Sequence, residues 1–68
     1  MMLEDYLSRY VSIIQGKKGV DRDRALALLM TDMEREYEIP LLYNRTWVQE
    51  NKAAYKLYQM ISDARVMT

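Results

Sequence analysis

Between Asp21 and Pro40 the chain reads DRDRALALLMTDMEREYEIP, and its apolar residues recur with the period of an α-helix. Leu26, Leu29, Met30, Met33 and Tyr37 fall at i, i+3, i+4, i+7 and i+11, one stripe of a 3.6-residue period. Asp32, Glu34, Arg35, Glu36 and Glu38 fill the rest of the circumference. A helix of this kind must bury its stripe against another element, so the remainder of the chain has to supply the partners.

Two further helical stretches answer that need. Leu3, Tyr6, Leu7, Tyr10 and Ile14 repeat the same spacing, with Val11 and Ile13 widening the stripe, and Gly16 is placed to end this helix in the left-handed conformation. Lys17 and Lys18 then stand where the helix dipole favours cations. The short GKKGV connection makes the first two helices antiparallel neighbours. It is not a Walker phosphate loop, because it lacks the spacer and the hydroxyl residue after Lys.

Asp21 reads as the N-cap of the central helix, flanked by Val20 and Ala25 at hydrophobic-staple positions. Pro40 forces that helix to end by about Ile39. A third helix opens at Thr46, where Thr-Trp-Val-Gln has the capping-box spacing, and runs to about Arg65. The glycosylation-like triplet Asn44-Arg45-Thr46 fits a helix start better than a modification site. These elements define an all-α fold, a small three-helix bundle with helices at about 3–15, 22–38 and 47–65, forming a single helical domain over residues 1–68.

Size matters here. Domains this small bury only about 60% of their unfolded surface. The usual reinforcements are a disulfide, a metal or a second copy. The chain has no cysteine and no histidine. That removes disulfides, thiol nucleophiles, Ser-His and Cys-His catalysis and the imidazole switch, along with the usual zinc ligands. Together with the limited room for a walled pocket, it leads to the expectation of a non-enzymatic protein with no cofactor, no metal and no small-molecule substrate.

Ten basic and ten acidic residues give a net charge of zero, so no global field drives the chain onto nucleic acid or a membrane. The first residues carry Glu4 and Asp5 where a signal peptide carries Lys or Arg, and no apolar run approaches the roughly 18 residues that span a bilayer. The expectation is a cytoplasmic protein without membrane contact.

Two apolar features exceed what a three-helix core requires. The connection Ile39-Pro40-Leu41-Leu42-Tyr43 is unusually apolar; it either folds over the end of the bundle to close the core, as a short turn beginning at Pro40, or forms an exposed binding element. On the third helix, Trp47, Ala54, Leu57, Tyr58 and Ile61 form one stripe, and Ala53, Leu57, Met60, Ala64 and Met67 an adjacent one. Together they span roughly 160°. Six methionines suit an adaptable partner surface. The expected partner-binding residues are therefore Leu41, Leu42, Tyr43, Leu57, Met60, Ala64 and Met67, serving a protein partner or a second copy in a homodimer.

Charged clusters give an alternative. Lys17, Lys18, Arg22 and Arg24 gather near a helix start, and Lys52, Tyr55, Lys56 and Gln59 share an outer face of the third helix. Such groups could hold nucleic acid if folding brought them onto one side. The acidic run Asp32, Glu34, Glu36 and Glu38 places like charges at i, i+4 near a helix C-terminus. Bases from neighbouring helices can offset it, and a basic partner or a hard cation at Asp32 and Glu36 are the other readings. No stretch carries a motif specific enough to bring a function with it.

Overall fold

The computed structural model describes residues 2–65. Within them the chain forms α1 (Leu3–Gly16), α2 (Gly19–Tyr37), α3 (Arg45–Glu50) and α4 (Lys52–Arg65). The fold is an all-α bundle of three long helices, with the short α3 leading into α4. The stripe on α2 is its centre. Leu26, Leu29 and Met33 are fully buried, as is Ile61 of α4. Tyr6 and Ile13 of α1 and Leu57 of α4 complete the core, with Tyr10, Met30, Tyr37, Ile39 and Tyr58 packed at its margin.

Polar contacts at the margins fix the helix directions. Arg9 of α1 pairs with Asp32 of α2 at 2.9 Å, and the Tyr6 ring lies 5.8 Å from that of Tyr37. Early residues of α1 thus meet late residues of α2, so the two are antiparallel. On the other flank Arg65 pairs with Asp23 at 3.3 Å, and the Tyr58 hydroxyl donates to Glu34. That makes α4 antiparallel to α2 as well, and α1 and α4 run parallel to each other. Arg9 and Tyr58 engage two members of the acidic run, which eases its self-repulsion. Burial, then Glu36 and Asp32, raises the Tyr6 hydroxyl above its ordinary range. Burial, then the Glu34 hydrogen bond, pushes Tyr58 up to about 12.

Helix boundaries depart from the sequence expectation at two places, each for a local reason, while α2 ends before Ile39 as Pro40 requires. Gly16 stays helical, and the left-handed φ of +61° falls on Gly19 instead. α2 therefore starts before Asp21, with Lys18 as an N-cap that makes no side-chain bond. At the other end Glu38 adopts the left-handed conformation (φ 52°, ψ 49°), and Ile39 N–H donates to Glu34 C=O at 3.2 Å. This is a Schellman closure with a non-glycine residue at the left-handed position.

The second departure is the larger. Asn44, not Thr46, caps α3, its Oδ1 accepting from Trp47 N–H at 2.9 Å. The expected single helix then breaks at Asn51, whose φ of −134° lies outside the helical range. Asn51 Nδ2 donates to Trp47 C=O at 2.9 Å, while Tyr55 N–H donates to Asn51 C=O at 2.8 Å. One residue thus closes α3 and opens α4. Asn is suited to this because its amide competes with the backbone for hydrogen bonds.

Candidate functional site

The parallel pair α1 and α4 is the loosest seam of the bundle, and along it lies a groove of about 580 Å³ lined by Met2, Leu3, Glu4, Leu7, Ala53, Lys56, Leu57 and Met60. Every lining residue comes from α1, its N-cap or α4; α2 contributes none. Leu3 and Leu7 stand one turn apart on α1, and Ala53, Leu57 and Met60 occupy one side of α4. Leu57 forms the floor and is buried, whereas Leu7 and Met60 stay exposed on the walls. Glu4 and Lys56 are the only charged lining residues, one on each side. A concavity lined in this way favours apolar surface over polar.

Around the end of the bundle, the connection after α2 does not close the core as one reading of the sequence allowed. Ile39 packs against the core margin, but Leu41, Leu42 and Tyr43 are 104%, 82% and 71% exposed. The segment forms no helical turn at Pro40. Trp47 supplies the closure instead. Its indole N–H donates to Tyr37 C=O at the end of α2 at 3.1 Å, and its ring meets Tyr55 edge-on at 6.2 Å. Tyr43 leans on the same Tyr55 ring at 6.3 Å.

The structure divides the expected partner-binding residues. Met60 lines the groove and is exposed; Leu57 is a core residue that reaches the groove only as its floor. Ala64 packs against the core, and its carbonyl accepts from Arg22 Nη2 at 3.5 Å. Leu41, Leu42 and Tyr43 form a separate apolar projection, and Met67 lies outside the described residues. Met2, Leu3, Leu7 and Ala53 were not anticipated as groove residues. Leu3 and Leu7 belong to the stripe read on the first helix and Ala53 to the second stripe of the third, which was the available signal.

The expected nucleic-acid residues lie toward opposite ends of the bundle. Arg22 turns inward to cap α4, and its Nε is buried without a partner among the described residues. Lys17, Lys18 and Arg24 remain exposed near that end. Lys52 and Lys56 lie toward the opposite end of α4, and Lys52 is twelve residues before Ala64, roughly 18 Å along the helix. Tyr55 is half-buried in the aromatic cluster rather than free for stacking.

Fold and groove together define a small all-α protein with an open apolar groove between two parallel helices. No family model matches the chain, and no curated protein and no solved structure matches it either. Among the described residues, no helix is long and apolar enough to cross a membrane.

Proposed function

We propose that this chain is a small, non-enzymatic protein-interaction module of the cytoplasm that takes up an apolar segment of a protein partner between α1 and α4. The observation that carries this reading is the groove itself: about 580 Å³ of apolar concavity between α1 and α4. Its volume falls within the range of specific binding clefts, and its apolar walls leave water poorly hydrogen-bonded, so an apolar occupant is favoured. Neutral net charge fits a short-range apolar encounter better than long-range steering.

Site-specific photo-crosslinking in cells tests it. A photoreactive side chain at Met60 looks into the groove, and one at Leu28 samples an exposed position on α2 outside it. The expected result is discrete adducts from position 60 and none from position 28. Equal labelling from both positions, or none from position 60, overturns the reading.

A further inference from the structure

Resting on that docking reading, we propose that the occupant of the groove is the Leu41-Leu42-Tyr43 projection of a second copy of this chain, exchanged reciprocally in a twofold dimer. The molecule carries an apolar concavity and an apolar projection, and neither is satisfied within one copy. Both lie at the same end of the bundle. The groove runs along the first turns of α1 and α4, and the projection joins the end of α2, beside Tyr6, to the start of α3.

A copy does not fill its own groove. Tyr43 is held against Tyr55, and Tyr55 lies roughly 100° to 160° around α4 from Ala53, Lys56, Leu57 and Met60. The Tyr43 contact thus sets the projection on the flank of α4 facing away from the groove. A twofold axis near this end presents each projection to the other copy's groove, so that the two contacts form together and the assembly closes at two.

Charge agrees with shape. The projection is bracketed by exposed Glu38 and Arg45, and the groove by exposed Lys56 and Glu4. These four residues make no ion pair among the described residues. A projection that sets Glu38 beside the partner's Lys56, and Arg45 beside the partner's Glu4, matches each charge with its opposite in both halves of the dimer.

Sedimentation of the full chain at tens of micromolar tests the proposal. The parent should run near twice 8.1 kDa, and Leu41→Asp with Leu42→Asp should run as a monomer. Both positions are exposed, so helicity by circular dichroism should be unchanged. Lys56→Glu alone and Glu38→Lys alone should each weaken dimerisation roughly two- to fivefold, as exposed ion pairs do, and the double swap should restore it. A monomeric parent overturns the proposal, as does a loop variant that stays dimeric or a charge swap without rescue. The crosslink from position 60 separates this failure from that of the docking reading. An adduct at twice the chain mass supports the second copy; one of another mass retains the groove as a docking site but overturns this occupant; none overturns both.

Discussion

Leu28 and Leu29 are neighbours in α2 with the same side chain, yet Leu28 is 59% exposed and Leu29 is 0% exposed. Alanine at either position removes the same atoms from the same helix and changes helix propensity by the same few tenths of a kcal/mol. Any difference between the two variants therefore measures burial. Truncating a buried leucine costs about 2 to 5 kcal/mol, set by how far the surroundings collapse into the space. Flexible Met33 lies one turn away in the same cluster and can partly fill the gap, which places Leu29→Ala near about 3 kcal/mol. Leu28→Ala should stay within about 0.5 kcal/mol of the parent.

On a scale of roughly 0.05 to 0.15 kcal/mol per residue, a chain of this size has about 3 to 10 kcal/mol of stability in all. Leu29→Ala thus removes a third or more of it. At about 4 to 8 °C per kcal/mol, its thermal midpoint should fall by roughly 12 to 24 °C. Urea and thermal unfolding followed by circular dichroism give both numbers. Equal shifts for the two variants would refute the assignment of which face of α2 is core, whatever their absolute size.

Glu38 holds a left-handed φ of 52° that glycine adopts without the Cβ penalty, so Glu38→Gly should raise stability by about 1 kcal/mol in urea titrations; a loss would show the site unstrained. The Tyr58 hydroxyl is pushed up to about 12 from its ordinary 10.0, so the folded chain keeps a proton that the unfolded chain has released. That contribution is whole below pH 10 and is lost as pH rises through about 12. Tyr58→Phe should flatten the alkaline fall in the urea midpoint over that interval, with Tyr6 and Tyr37 as a background common to both proteins. An alkaline profile identical to the parent's would show that Tyr58 does not contribute to it.

The core was legible because period carries it. Leu26, Leu29 and Met33 are specified by spacing alone, and the antiparallel entry of α1 by the shortness of the GKKGV connection. The break at Asn51 was not legible in the same way: the apolar stripe continues through it, and the competing amide bond to Trp47 depends on where the indole docks. The exposure of Leu41 and Leu42 was equally hidden. The segment's apolar composition does not say that the Trp47 indole, ten residues after Tyr37, bonds the end of α2 while Leu41 and Leu42 stay outside. The groove escaped for a geometric reason. A stripe says that Leu3 and Leu7 face inward but not how closely α1 approaches α4.

The break at Asn51 also divides the chain dynamically. The stretch from Glu38 to Asn51 contributes no buried residue, and its polar ties to α2 are the Trp47 indole N–H on Tyr37 C=O and the Glu38 and Ile39 N–H groups on Glu34 C=O, bonds worth about 1 kcal/mol net each. Such a stretch can open while α1, α2 and α4 stay packed, so it behaves as its own foldon at the low end of the stability scale. Amide exchange from Ile39 through Glu50 will then follow local opening and depend little on denaturant, whereas Leu26, Leu29 and Ile61 exchange only by global unfolding. The projection at Leu41 and Leu42 belongs to the part of the molecule that can change shape to meet a surface without disturbing the core behind it.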